Sequence, residues 1–64
     1  MCEANVYMLE GKNKKLIMEA VDTIEPEGDT IKLISIFGDQ KTIKARIKQM
    51  ALVDHKIIFV PQSN

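Results

Sequence analysis

Lys41-Thr42-Ile43-Lys44-Ala45-Arg46-Ile47-Lys48 is the stretch on which the fold class turns. Ile43, Ala45 and Ile47 alternate with Lys44, Arg46 and Lys48, so an extended strand would carry its apolar side chains on one face. A helix also fits, because Ile43, Ile47 and Met50 are spaced four and three apart. The flanks decide between them. Upstream, Thr30 to Phe37 is dense in β-branched residues and reads as the clearest strand of the chain. Gly38-Asp39 then matches a two-residue hairpin turn with glycine first. Downstream, Met50-Ala51-Leu52-Val53 and Lys56 to Val60 are β-rich runs separated by Asp54-His55, a further short hairpin. Residues 41–48 therefore read as a strand.

Working back toward the start, Glu25-Pro26-Glu27-Gly28-Asp29 reads as a loop, since neither proline nor glycine suits a strand interior. Leu16-Ile17-Met18 forms a strand with Val21 and Ile24 close behind, after a polar turn at Glu10-Gly11-Lys12-Asn13-Lys14. Cys2, Ala4, Val6 and Met8 share one face of an N-terminal strand, and Glu3, Asn5 and Tyr7 the other. Pro61-Gln62-Ser63-Asn64 ends the pattern as a loose tail. The whole predicts one all-β domain over residues 1–64, a small barrel or curled antiparallel sheet of five to six short strands.

Size and composition narrow the function. A chain of 64 residues with 45% hydrophobic content can build a core, but only a marginal one. Chains this small are usually stabilised by disulfides, a metal or self-association. One cysteine closes the disulfide route within a chain. Nine basic and nine acidic residues balance to a formal net charge of zero, unlike a dedicated nucleic-acid binder. Met1-Cys2-Glu3 has no basic leader, and Ile57 to Val60 is too short to span a bilayer, so the expected location is cytoplasmic, with the thiol reduced.

Catalytic groupings are scarce. One histidine and one cysteine are present, and Gly11, Gly28 and Gly38 are isolated turn glycines with no phosphate-binding pattern. The expectation is a protein that is not an enzyme. Cys2 has two readings. As a small hydrophobe it continues the Ala4/Val6/Met8 face. As a ligand it has the α-amine and backbone nitrogens within chelating reach, and two copies of the chain would supply two thiolates. Square-planar sulfur and nitrogen suit Ni(II) or Cu(II), and a tetrahedral arrangement suits zinc. His55 is either a solvent-facing turn residue or an auxiliary ligand oriented by Asp54; Met1 and Glu3 are the other auxiliary candidates. Met8, Met18 and Met50 read as core filling. Lys41, Lys44, Arg46 and Lys48 make the best case for an RNA partner, against which stands the scarcity of stacking aromatics: Tyr7, Phe37 and Phe59, two of them in core-like patterns.

Taken together, Met1-Cys2-Glu3-Ala4-Asn5-Val6-Tyr7, Pro26-Glu27-Gly28-Asp29, Ile34-Ser35-Ile36-Phe37-Gly38, Ile43-Lys44-Ala45-Arg46-Ile47 and Met50-Ala51-Leu52-Val53-Asp54-His55-Lys56-Ile57 resemble the CooT family along nearly the whole chain. The opening Met-Cys alone is also found in HypC-type hydrogenase maturation chaperones. The resemblance implies a small β-barrel homodimer that binds nickel for maturation of a nickel enzyme such as the nickel-iron-sulfur carbon monoxide dehydrogenase. It also implies that Cys2 is the metal-binding cysteine. Zinc and copper are the expected competitors, a client enzyme or its maturation factors the expected partners, and RNA binding the alternative.

Overall fold

The computed structural model describes residues 3–61. Six strands follow in chain order: β1 (Ala4–Glu10), β2 (Asn13–Glu27), β3 (Thr30–Ser35), β4 (Gln40–Ile43), β5 (Ala45–Ala51) and β6 (Lys56–Pro61). They form one sheet in the order β4-β3-β2-β1-β6-β5. The expected all-β curled sheet is what the chain adopts. Four of its pairings are antiparallel, and β1 runs parallel to β6, with Val6 beside Ile57 and Met8 beside Phe59.

The curl follows from one residue. β4 and β5 occupy the two opposite edges of the sheet, yet only Lys44 separates them in sequence. Consecutive Cα atoms lie 3.8 Å apart, so the edges must be brought together and the sheet must roll up. β3 packs against β5 across the closure without pairing to it. Residues 41–48 are thus extended as expected, but they are not one strand: the chain breaks at Lys44 to change neighbours, from β3 to β6.

Other expectations shift at the turns. The loop anticipated over 25–29 narrows to Gly28-Asp29, because Glu25, Pro26 and Glu27 pair with Lys32, Ile31 and Thr30. Pro26 is tolerated for a geometric reason. Glu27 and Thr30 flank a two-residue turn and exchange the backbone bonds, so Pro26 falls at the alternate site, its nitrogen turned away from β3. On that side β1 covers β2 only as far as Val21, so no ladder bond is lost. The glycine-first two-residue turns are Gly11-Lys12 and Gly28-Asp29, both with φ near +65° at glycine. Gly38-Asp39 is instead the second half of a four-residue loop, Ile36 to Asp39. Phe37 sits in that loop and is 76% exposed, so it belongs neither to a strand nor to the core. The strand foreseen over 50–53 stops at Ala51, and Leu52 to His55 form the turn. Pro61 closes β6 opposite Ala45 and is no part of a loose tail; residues 62–64 lie outside the described residues.

The rolled sheet encloses Val6, Val21, Ile31, Leu33, Ala45, Ile57 and Phe59, with Val6, Leu33 and Phe59 fully buried. Alternation puts Ile31, Leu33 and Ser35 of β3 on the inner face. Ser35 is buried without cost, since its hydroxyl oxygen accepts the amides of Phe37 (3.1 Å) and Asp39 (3.2 Å) and so holds the β3–β4 loop.

Candidate metal centre

Asn5 organises one end of the rolled sheet, where β1 and β6 begin and β5 ends. Its backbone amide donates to the carbonyl of His55 at 2.8 Å, which fastens the β5–β6 turn to the start of β1. Its side-chain Oδ1 accepts the amide of Ala20 at 3.2 Å. Ala20 needs that acceptor because β2 bulges there: Ala4 pairs with Val21 but Val6 pairs with Met18, so β2 spends one residue more than β1. The extra residue takes a left-handed conformation, φ 56°, which alanine adopts only at a cost. The carbonyl of Ala20 in turn accepts the amide of Ile36 at 2.8 Å. Three hydrogen bonds, one of them to a side chain, therefore tie together the β1 start, the β2 bulge, the β3–β4 loop and the β5–β6 turn.

Beside this frame, reached by His55, lies a pocket of about 320 Å³. Its apolar walls are Ala4, Val21, Ile24, Leu52 and Ile57, and its polar lining is Glu3, Asp22 and His55. His55 reaches it from a turn closed by two backbone bonds, Asp54 amide to Ala51 carbonyl and His55 amide to Leu52 carbonyl, each 3.1 Å. Its φ of 56° lets the chain reverse into β6.

Two of the auxiliary ligands expected from sequence, Glu3 and His55, thus line one pocket although 52 positions separate them (55 − 3). Asp22 joins them from the β2 bulge and was not foreseen; nothing local in sequence marks it, because the bulge brings it there. Cys2 and Met1 lie outside the described residues. Among the described residues, no three of the histidines, aspartates and glutamates stand close enough to hold a metal ion by themselves.

Two of the basic residues weighed for RNA have other neighbours. Lys44, at the corner between β4 and β5, faces Asp29 at 3.7 Å. Arg46 lines a second, shallower hollow with Pro26, Gly28 and Ile31. Phe59 is fully buried, which removes one of three stacking candidates. Among the described residues no helix is long and apolar enough to cross a membrane.

Comparison with known proteins decides the family. The model of the CO dehydrogenase accessory protein CooT matches residues 1–59, from Met1-Cys2 through the core of β6. The chain belongs to the CooT family. Its backbone superimposes on the crystal structure of a CooT from Carboxydothermus hydrogenoformans with a TM-score of 0.92, at 39% identity over 97% of this chain and 100% of that one. An uncharacterized protein of Methanocaldococcus jannaschii is 39% identical over 59 residues, 92% of this chain and 96% of its own length. An uncharacterized protein of Archaeoglobus fulgidus is 44% identical over 42 residues, 66% of this chain and 93% of its own. CooT proteins serve CO dehydrogenase maturation as accessory proteins and are not themselves enzymes.

Proposed function

We propose that this CooT protein carries Ni(II) for the maturation of a nickel enzyme such as CO dehydrogenase, holding one ion between two copies of the chain through their Cys2 thiolates. The observation that carries the reading is the meeting of Glu3, the residue after Cys2 in the chain, with His55 at one pocket. One thiol per chain supplies half of a two-sulfur donor set, and a two-fold pair of chains supplies the whole. Backbone or terminal nitrogens complete a set in which nickel is favoured over zinc by a square-planar arrangement. Copper exceeds nickel in intrinsic affinity, so selectivity in a cytoplasmic setting depends on geometry and metal supply. Glu3 and His55 act as auxiliary donors or as acceptors that orient the liganding groups.

The reading is tested by titrating nickel into the wild-type protein and into Cys2→Ser under reducing conditions. Wild type should take up one nickel per two chains, read by native mass spectrometry, with a thiolate-to-metal charge-transfer band that Cys2→Ser lacks. Equal affinity and stoichiometry in the two proteins would overturn it.

A further inference from the structure

The segment 40–53 holds four of the nine basic residues, Lys41, Lys44, Arg46 and Lys48, and none of the nine acidic ones. A chain that is neutral as a whole is therefore polarised, with +4 on this segment and −4 on the remainder (5 − 9). Lys44 faces Asp29, whereas Arg46 and Lys48 are exposed on β5 and make no ion pair among the described residues. β5 is also an edge: β6 pairs with one flank of it, and among the described residues no strand pairs with the other. Ile47 and Met50 oppose the core residues Phe59 and Ile57, which places them on the apolar face of the sheet, yet they are 43% and 52% exposed. A hollow walled by Pro26, Ile31, Ala45 and Ile47, with Arg46 beside it, adjoins the strand where β5 meets the β2–β3 hairpin. Unpaired backbone, uncovered apolar side chains and unpaired cations thus coincide on one strand.

We propose that the free edge of β5 takes up an extended acidic segment of another protein as an added strand. In such an addition main-chain hydrogen bonds give affinity, and sites for alternate side chains give specificity. Side chains of the added strand point alternately to the two faces of the sheet, so the fitting sequence alternates apolar and acidic residues. Its apolar side chains cover Ile47 and Met50 and enter the hollow, and its carboxylates meet Arg46 and Lys48. Charge selects this occupant over a second copy pairing edge to edge. Lys48 is the extra residue of a bulge, since Ile47 pairs with Phe59 and Gln49 with Ile58. A bulge and a lysine on an edge discourage pairing with a like edge, whose cations would face their own kind. An acidic strand converts the same charges into attraction. RNA is the poorer match, because β5 carries no aromatic side chain on which a base could stack. The proposal stands apart from the nickel reading and needs no metal.

The test is binding of a fluorescein-labelled synthetic peptide of about ten residues, alternating glutamate and valine, to the metal-free full chain, read by anisotropy and by amide NMR. A second peptide of the same composition has its glutamates and valines in separate blocks, and a uridine oligonucleotide of the same length is the third probe. Wild type is compared with the double variant Arg46→Glu, Lys48→Glu and with Lys12→Glu, Lys14→Glu, which makes the same charge change around the β1–β2 turn. Wild type should bind the alternating peptide, with shifts and slowed exchange concentrated at the amides of β5. The Arg46, Lys48 variant should bind it roughly tenfold or more weakly, and the Lys12, Lys14 variant within about twofold of wild type. The block peptide and the oligonucleotide should each bind wild type roughly tenfold more weakly than the alternating peptide. The probe comparison uses wild type alone, so it decides the matter even if a variant fails to fold. No binding of the alternating peptide at millimolar concentration overturns the proposal, as does equal binding by the Arg46, Lys48 variant. Equal binding of the block peptide shows charge without strand addition and overturns it too. Tighter binding of the oligonucleotide assigns the segment to RNA instead, and protection of the β5 amides that is lost on dilution without peptide assigns the edge to a second copy.

Discussion

The amide of Asn5 donates to the carbonyl of His55 across 2.8 Å, and this bond joins two segments fifty positions apart (55 − 5). It decides where the β5–β6 turn lies relative to the start of β1, and hence that Glu3 and His55 share a pocket. The same residue serves the β2 bulge through its side chain. The two roles are separable, because the His55 bond uses the backbone and the Ala20 bond the side chain. Asn5→Ala should leave the turn fastened while stranding the part-buried Ala20 amide, at a cost of about 1–3 kcal/mol. Asn5→Asp retains an acceptor and should recover most of the loss at neutral pH. Urea unfolding of the three proteins checks this, and equal stability of the alanine and aspartate variants would contradict it.

Ala20 carries a prediction of unusual sign. Glycine inside a strand ordinarily destabilises by roughly 0.5–1 kcal/mol relative to alanine. At a φ of 56°, however, alanine bears about 1–2 kcal/mol of steric strain that glycine does not. The relief offsets or exceeds the greater freedom glycine gives the unfolded chain, about 0.4–1 kcal/mol. Ala20→Gly should therefore leave stability unchanged or raise it by up to about 1 kcal/mol. Ala45→Gly, at the fully enclosed start of β5, should show the ordinary loss. A thermal melt of each against wild type distinguishes the two cases.

These two residues also mark the boundary of what sequence made legible. Alternation along Thr30–Ser35 and the β-branched runs were enough for the strands, the fold class and most of the core. Gly28-Asp29 was legible as a turn, but Pro26 argued falsely for a longer loop, because proline's penalty depends on which flank of the strand is covered, and that is a tertiary fact. Lys44 looked like one more outward residue in a period of two. Nothing local shows that the chain changes sheet neighbours there. At the site, Glu3 and His55 were legible as donor types next to a cysteine and in a turn. Asp22, Ala20 and the role of Asn5 were not, since bulges and bonds between residues fifteen or fifty apart leave no periodic signal.

Ser35 offers a check on the β3–β4 loop independent of the pocket. Its hydroxyl oxygen accepts two amides, so Ser35→Ala orphans both at once in a part-buried setting. The expected cost is about 1–3 kcal/mol, a large share of the stability of so small a chain. Amide exchange should accelerate at Phe37 and Asp39 before it does at Leu33. Uniform acceleration across β3 would instead mean that the loop and the strand open as one unit.

Nickel uptake should depend on pH with a definite sign. A thiol titrates near 8.5 when unperturbed, and only the thiolate binds metal, so each bound cysteine releases a proton at neutral pH. Lowering pH adds a competing proton and weakens binding, up to about tenfold per thiol for each unit below the thiol's pKa, and up to about a hundredfold for two thiols per ion. Cys2→Ser should abolish that dependence together with the charge-transfer band. His55→Ala should keep the thiol-linked slope, with affinity reduced roughly tenfold and stoichiometry intact. Calorimetric titrations from pH 6 to 8 in buffers of different ionisation enthalpy count the protons released directly. A wild-type affinity matched by His55→Ala would place His55 outside the nickel site and leave it to the turn alone.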